Sequence, residues 1–293
     1  MSVSTQDNAL RTAVVWRVLI YSVLIVIAVI YLAPLFVMLV TSLKSLDEIR
    51  LGNMMALPLQ ITFEPWANAW GSACLGLDCN GIKGYFWNSL KITVPAVVIG
   101  TLLGAFNGYV LTKWRFRGHQ LVFGLMLFAC FIPFQIVLLP MSQVLGYLGL
   151  ANTTSGLVMV HVVYGLGFTT LFFRNFYEAF PDELIRASVM DGAGFFTIFN
   201  RILLPNSGPI IVVTVIWQFT NIWNDFLFGA SFSSGDSAPI TVALNNLVNS
   251  STGVKEYNVH MAAAITAALP TLLVYVVAGR YFVRGLMAGS VKG

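Results

Sequence analysis

The amino-acid sequence predicts an all-α, polytopic membrane protein with six transmembrane helices. Of its 293 residues, 57% are hydrophobic and only 10% are charged, whereas soluble globular domains carry about 25% charged residues. A chain this apolar cannot hide its hydrophobic surface in one core, so we expect the lipid bilayer to be its solvent. The net charge of +4 is spread thinly along the chain, which argues against nucleic acid as a partner.

Uncharged runs mark the expected spans, because a membrane helix needs about 20 mostly apolar residues. Four runs are long enough for one helix each, and they cover residues 18–43, 92–112, 202–224 and 257–279. The uncharged run 120–173 is long enough for two helices, and Gly, Asn and Ser between 146 and 155 favour a turn that separates them. The first span is longer than the apolar core of a signal peptide, which has about 7–15 residues, so we expect it to remain as an anchor.

Lys and Arg are distributed unequally over the connections between the spans. Of the 16 basic residues, eleven lie on one side of the membrane and five on the other. The positive-inside rule therefore predicts that the tail 1–17, the C-terminus and the loop 174–205 are cytoplasmic. The rest of the chain, 18–293, is expected to form one six-helix domain with an outer loop at about 44–85.

Two cysteines lie five residues apart in this outer loop. In the predicted orientation, Cys74 and Cys79 face the oxidising side of the membrane, where a disulfide can form. The alternative is two unpaired thiols in a loop.

The sequence holds no motif for catalysis or for binding a metal or cofactor. It lacks the G-x-x-x-x-G-K-[ST] phosphate loop, so the chain is not expected to hydrolyse nucleotides by itself. His119, His161 and His260 are far apart in sequence, and none is predicted to bind a metal. The candidate charged groups within the membrane are Lys91, near the outer end of the second span, and Asp225, near the outer end of the fifth, and they give little support for coupling to an ion gradient. If the protein moves a solute, we expect the energy to come from another subunit.

The loop 174–205 has the pattern of a helix, a glycine turn and a second helix. Pro181 suits a helix start, and Asp182 and Glu183 place negative charge against the positive end of a helix. Apolar residues then recur at helical spacing until D-G-A-G at 191–194, which predicts a flexible turn. A projecting segment of this kind, a helix followed by a turn and a second helix, would fit a groove on a cytoplasmic partner. The alternative is an interfacial helix that only seals the bundle.

This loop resembles the cytoplasmic signature of the ABC importer permeases. The shared run is D-G-A, eight further residues and I-x-L-P, and it covers Asp191, Gly192, Ala193, Ile202, Leu204 and Pro205. In that family the loop forms a coupling helix that docks into a cleft of the ATPase subunit, and the permease has the type I importer fold. The family's usual Glu-Ala-Ala falls on Arg186, Ala187 and Ser188, so two of three positions depart from the pattern. The resemblance implies ATPase coupling by Asp182, Glu183, Arg186, Ala187, Ser188, Asp191, Gly192 and Ala193.

Other segments are similar to the carbohydrate-importer permeases related to the maltose system's smaller permease. They are F-W-N-S-L at 86–90, R-F-R-G at 115–118, and the tail with G-L at 285–286 and G-S-V-K-G at 289–293. The similarity covers residues 15–293, and the C-L-G-L-D-C insertion at 74–79 resembles the outer loop of some bacterial glucose or mannose importers.

The resemblance implies a permease subunit of the bacterial inner membrane that forms half of the path for a sugar and carries no cofactor of its own. Its partners would be a second, non-identical permease, an ATPase dimer that binds ATP and Mg²⁺, and a periplasmic sugar-binding protein. One alternative is an ABC permease for another polar solute, such as a polyamine or glycerol phosphate, which would need a strongly charged cavity. The other is an ion-coupled secondary carrier, which would need a titratable pair deep in the spans.

The fifth span ends in a polar stretch, W-Q-F-T-N-I-W-N-D at 217–225. Helical spacing brings amides, a carboxylate and an aromatic ring together on one face, near the outer half of the membrane. Amides and carboxylates hydrogen-bond sugar hydroxyls, and aromatic rings stack on sugar C–H faces. We therefore predict a substrate path lined by Trp217, Gln218, Asn221, Asn224 and Asp225. The alternative is a set of polar residues that hold helices together.

Glycine and proline mark expected packing features of the spans. Gly100, Gly104 and Gly108 fall four residues apart and predict the close approach of another helix. Four prolines can kink the helices that contain them, namely Pro95, Pro133, Pro140 and Pro270.

Overall fold

The computed structural model of the chain describes residues 3–50, 52–53, 55–76, 78–114, 116–249 and 255–290, and the side chains of these ranges from residue 14 to residue 279. The described backbone is helical apart from its turns and one isolated bridge between Leu75 and Asp78. Its α-helices are α1 (Val3–Ser42), α2 (Leu46–Arg50), α3 (Glu64–Gly71), α4 (Lys83–Thr112), α5 (His119–Cys130), α6 (Phe134–Tyr147), α7 (Thr154–Glu178), α8 (Asp182–Met190), α9 (Phe195–Ile198), α10 (Leu204–Asn206), α11 (Gly208–Trp223), α12 (Leu227–Phe232), α13 (Ile240–Asn249) and α14 (Tyr257–Ser290). A π-helical turn covers Phe199–Leu203, and a 3-10 turn covers Gly235–Ser237.

Within the described ranges, four helices are long and apolar enough to cross a membrane, and they cover Val14–Ser42, Lys83–Thr112, Thr154–Glu178 and Tyr257–Gly279. Two bent helix pairs also pass this test. Helices α5 and α6 meet at 104°, and the segment Phe195–Asn206 meets α11 at 76°. Counting each pair as one span gives six, so the prediction of an all-α, polytopic membrane protein is confirmed.

The third span is broken in its middle at Pro133, one of the four prolines that the sequence marks as possible kinks, and the bend of 104° is a full break between two helices. Helix α5 ends at Cys130, and Pro133 has an extended backbone, with φ −55° and ψ 125°, before α6 starts. The residue before a proline disfavours the helical region, so Pro133 favours a break here. The Tyr164 hydroxyl donates to the Ile132 carbonyl at 3.1 Å and satisfies one group that the break exposes.

The connection after α6 agrees with the predicted turn. Helix α6 ends at Tyr147 and α7 begins at Thr154. Thr153 caps α7, because its hydroxyl accepts the N–H of Gly156 at 3.0 Å. The short segment between Tyr147 and Thr154 therefore separates the two spans, and its Thr153 caps the second of them.

The fifth span departs from the predicted single helix over 202–224. Its straight part, α11, begins only at Gly208, and a π-helical turn precedes it. Pro205 cannot donate to the Arg201 carbonyl and crowds it, and the turn before the proline is widened, with the Leu204 N–H donating to the Phe199 carbonyl. The first span also differs from the prediction, because α1 begins at Val3 and makes the tail and the span one helix.

Helices α4 and α7 pack against each other through the predicted glycines. A Cβ atom added at Gly104 would lie 2.6 Å from the Cβ of Thr169, and one added at Gly108 would lie 2.7 Å from the Cβ of Phe173. Carbon atoms do not approach this closely, so only glycine permits the contact. Gly100 faces α11 instead, at the side chain of Gln218.

The outermost helix is α1. Only 6% of its apolar stretch is buried within the chain, against 50% for α4 and for α7. It packs mainly along α14. The rest of its surface suits lipid, as predicted for the chain as a whole.

Candidate functional sites

The 182–194 loop contains the short helix α8, whose outward face is exposed to solvent. None of the side chains of α8, which is described throughout, is buried. Glu183, Arg186, Ala187 and Met190 recur at intervals of three and four residues and are all exposed, Met190 to 87%. Ile185 points the other way and packs on a buried cluster beneath the loop. The helix therefore lies on the end of the bundle with one face covered and one free.

Gly192 ends α8 in a Schellman turn. Its φ is +80°, a left-handed conformation that suits glycine. The Ala193 N–H donates to the Ser188 carbonyl at 2.9 Å, and the Gly192 N–H donates to that of Val189 at 3.0 Å. These bonds satisfy two carbonyls that the helix end would leave unpaired. The D-G-A run thus encodes a specific turn, whereas the sequence predicted only a flexible one.

Lys113 fastens α8 to the end of α4. Its ammonium donates to the Phe180 carbonyl at 2.8 Å and to the Asp182 carboxylate at 2.5 Å. The Lys113 side chain is 6% exposed, so the charge is held away from water by these partners. Asp182 also lies in the first turn of α8, where a negative charge is favourable. Lys113 and Asp182 are 69 positions apart in the sequence, so no local pattern could have shown the contact.

An aromatic cluster supports the loop from below. The Tyr109 ring lies 4.8 Å from that of Phe195 and 5.8 Å from that of Phe199, measured between centroids. The Tyr109 hydroxyl also donates to the Phe195 carbonyl at 3.3 Å. Buried Phe173 and Tyr177 of α7 belong to the same cluster. The second half of the loop is thereby packed on α4 and α7 together.

Ser207 marks the bend between the loop and α11, and it is fully buried. Its hydroxyl lies 2.9 Å from that of Tyr177, and it donates to the Leu203 carbonyl at 2.6 Å. The bend is therefore tied to α7 by a buried hydrogen bond.

A cavity of about 370 Å³ lies between α7, α11 and the break of the third span. Its polar lining residues are His161, Gln218, Asn221 and Asp225, and its aromatic ones are Phe134, Tyr164, Phe168, Trp217 and Phe228. Four of the five predicted path residues thus meet here. Asn224 does not line the cavity: it is exposed and donates to the Thr220 carbonyl at 2.9 Å.

Gln218 is the most unusual residue of this cavity. It is only 1% exposed, and neither its amide nitrogen nor its amide oxygen has a hydrogen-bond partner among the described residues. Gly100 and Gly165 lie beside it and leave room for its amide. Buried polar groups are nearly always paired, so an unpaired amide in the wall of this cavity is unusual.

Asp225 is engaged at the corner where α11 gives way to α12. Its carboxylate accepts the N–H groups of Phe228 at 3.4 Å and Gly229 at 3.1 Å. His161 of α7 approaches it, with Nε2 at 3.9 Å. Sequence reasoning named both residues but could not show that they meet, since they lie on different helices. Tyr164, Phe168 and Phe134 were missed for the same reason.

In the outer loop, Cys74 and Cys79 are joined by a disulfide. The Leu75 N–H donates to the Asp78 carbonyl at 2.7 Å inside this small ring. Neither cysteine lines the cavity beside Gln218.

A family profile and several curated proteins match the chain. The profile of the family described as "Binding-protein-dependent transport system inner membrane component" matches residues 96–287. A probable ABC transporter permease protein of Pyrococcus horikoshii is 38% identical over 279 residues, which cover 94% of this chain and 98% of that protein. The diacetylchitobiose uptake system permease protein NgcG of Streptomyces coelicolor is 31% identical over 273 residues, which cover 93% and 88%.

A solved structure has the same fold. It is a crystal structure of a bacterial ABC transporter involved in the import of the acidic polysaccharide alginate. One of its chains superposes with a TM-score of 0.81 at 20% sequence identity, over 93% of this chain and 98% of that one. The predicted fold of an ABC importer permease is therefore confirmed.

Proposed function

The chain belongs to the family of binding-protein-dependent transport system inner membrane components, and we propose that it forms half of the transmembrane path for a sugar, glucose or mannose or a similar one. As a permease subunit it is a transport component and not an enzyme. Its sugar class is supported by the uptake system of the diacetylchitobiose relative and by the polar and aromatic cavity beside Gln218.

The 182–194 loop couples the path to an ATPase subunit. The observation that carries this proposal is a helix with a packed underside and a bare outer face, held by the Gly192 turn and by Lys113. ATP and Mg²⁺ bind to the partner ATPase dimer. When that dimer closes, it displaces α8, and the packed cluster under the loop transmits the motion to α4, α7 and α11.

Arg186 lies in the bare face of α8, at the place of a family carboxylate. A guanidinium donates hydrogen bonds and accepts none. The groove of the ATPase that receives α8 would therefore offer a carboxylate or carbonyl oxygen to Arg186. In the family's usual loop, a glutamate at this position would instead accept from a hydrogen-bond donor in the groove.

The remaining partners follow from the orientation. The tail 1–17, the C-terminus and the 182–194 loop are cytoplasmic, as the distribution of Lys and Arg favours. The opposite end then receives solute from a periplasmic sugar-binding protein. A second, non-identical permease supplies the other half of the path.

Uptake by the complete importer tests this function. The chain is reconstituted in proteoliposomes with its ATPase, second permease and binding protein. Labelled D-glucose, D-mannose, spermidine and glycerol 3-phosphate are offered, with ATP on the side of the ATPase. We expect uptake of a sugar that stops when ATP is removed. Uptake driven by a proton or sodium gradient without ATP would contradict the proposal, and so would uptake of only the charged solutes.

A further inference from the structure

We propose that the cavity beside Gln218 binds one ring of the transported sugar, with the Gln218 amide as its central polar group. This inference rests on the proposed import of a sugar. It goes further because it places a solute site inside this chain, between α7, α11 and the break of the third span, and names the groups that form it.

The unpaired amide of Gln218 is the strongest support. An amide that is buried without partners costs free energy, so a residue kept only for packing at this position would be apolar. The Gln218 amide offers one acceptor oxygen and two donor hydrogens. A sugar hydroxyl donates and accepts at once and can satisfy both sides of the amide. The site is therefore complete only when a hydroxylated molecule, or the water that precedes it, occupies the cavity.

The size and lining of the cavity fit one sugar ring. Its volume of about 370 Å³ is near the lower end of small-molecule sites, which span about 300–1,000 Å³. Asn221 stands one helical turn from Gln218 and lines the same cavity, and the Trp217 and Phe168 rings border it with centroids 5.0 Å apart. Aromatic faces beside convergent amides suit the alternating C–H and O–H surfaces of a sugar.

The charges of the cavity favour a neutral solute. Among its described lining residues there is no Lys or Arg, so a phosphate or carboxylate would find no cation. The one carboxylate, Asp225, already accepts two backbone N–H groups and lies near His161. A polyamine would therefore find no free anion.

The broken third span explains how such a cavity exists within the membrane. Interrupted backbone at this depth is tolerated where it is buried in protein or lines a polar cavity. Phe134, at the start of α6, and Cys130, at the end of α5, both border the cavity. The break thus opens the space that a continuous helix would fill.

The test uses the reconstituted importer with saturating binding protein. Gln218→Met keeps the length of the side chain and removes its polar atoms. We expect the rate of sugar uptake to fall at least tenfold while the melting temperature of the complex stays equal or rises, because the unpaired amide is gone. If Gln218 only packs against its neighbours, Gln218→Met will show the same melting temperature or a higher one, with the rate of sugar uptake unchanged. That result would overturn the inference.

A matched pair on the same stretch of chain provides a second measurement that does not depend on a buried substitution. Asn221 and Asn224 are both exposed, and each donates to a carbonyl four residues earlier, at 2.8 and 2.9 Å. Only Asn221 lines the cavity. We expect Asn221→Ala to lower labelled D-glucose or D-mannose uptake several-fold and Asn224→Ala to leave it unchanged.

The outcomes separate this inference from the function on which it rests. If the wild-type importer takes up sugar and both Gln218→Met and Asn221→Ala match it, only the site is wrong. Equal losses in Asn221→Ala and Asn224→Ala also overturn the site. If the wild-type complex imports neither sugar, the proposed function and the site fall together.

Discussion

Replacing Gly192 by alanine tests whether the turn after α8 must keep its left-handed backbone. A Cβ atom added at Gly192 meets no heavy atom within 4 Å, but φ is +80°. The penalty is therefore conformational and not steric, and it amounts to about 1–2 kcal/mol for a non-glycine residue. Gly194→Ala is the matched control: its φ is −79° and its added Cβ also meets nothing within 4 Å, so it should cost almost nothing.

The size of the effect on coupling follows from this penalty. About 1–2 kcal/mol lowers the ratio of intact to altered turns by a factor of about 5–30. The apparent affinity of the ATPase subunit for the permease pair falls with the fraction of loops that keep the turn, and by no more than that factor. Gly192→Asn should lie between wild type and alanine, because asparagine adopts the left-handed region more readily.

The assay titrates purified ATPase subunit against the permease pair in lipid nanodiscs and follows ATP hydrolysis stimulated by the binding protein. We expect the half-saturating ATPase concentration to rise for Gly192→Ala and to stay at the wild-type value for Gly194→Ala. Equal losses in both variants would refute the reasoning, because only one of them strains the backbone. No loss in either would show that the turn is not needed for docking.

Two further predictions concern how the loop and the spans are held. Lys113→Met removes the ammonium that contacts Asp182, so we expect several-fold weaker ATPase binding in the same titration. Lys83 is exposed at the other end of α4, so the control variant Lys83→Met should bind the ATPase as the wild type does. Gly104→Ala places a Cβ 2.6 Å from a side-chain atom of α7, so overpacking should lower stability by about 1–3 kcal/mol and reduce the melting temperature. Gly124→Ala meets nothing within 4 Å and should melt as wild type; equal melting of the two would contradict the packing argument.

Features that depend on neighbouring residues in the chain were predictable from the sequence. The spans follow from uncharged runs, and the end of α8 follows from a glycine where the backbone must turn left-handed. The close packing of another helix at Gly104 and Gly108 was also predicted correctly, because two glycines on one face of a helix allow a neighbouring helix to approach closely. In each case the cause of the structure lies in a single residue or in one face of one helix, and both can be read from consecutive residues.

Features that depend on distant residues were not predictable. Pro133 breaks a span, while Pro95 and Pro140 remain inside helices, and the difference lies in what surrounds each proline. Tyr164, 32 residues away, donates to the carbonyl that the break at Pro133 exposes. The contact of Lys113 with the loop is equally invisible in the sequence.

The prediction of the substrate path shows a different limit. Helical spacing placed Asn221 and Asn224 near one face, and only Asn221 lines the cavity. Helix α11 ends at Trp223, so the periodicity no longer applies at Asn224. Asp225 lines the cavity for another reason, because it caps the start of α12 and is held at the corner between the two helices. A periodicity argument holds only as far as the helix on which it is based.

The positions of Tyr177 and Gln218 provide a route by which the proposed coupling loop would act on the proposed sugar site. Helix α7 carries Tyr177 at the loop end and His161 at the cavity, 16 residues or about 24 Å away at the rise of an α-helix. Helix α11 begins next to Ser207, which is joined to Tyr177 by the buried hydrogen bond, and it carries Gln218 at the cavity. Gln218 lies 11 residues beyond Ser207, or about 16 Å along the helix, so a rotation of about 10° around this joint would displace it by about 3 Å. That is enough to separate Gln218 from a hydroxyl bound against α7. Under the proposed function, the loop would therefore weaken the binding of a solute by changing one helix angle, without altering any polar group of the site.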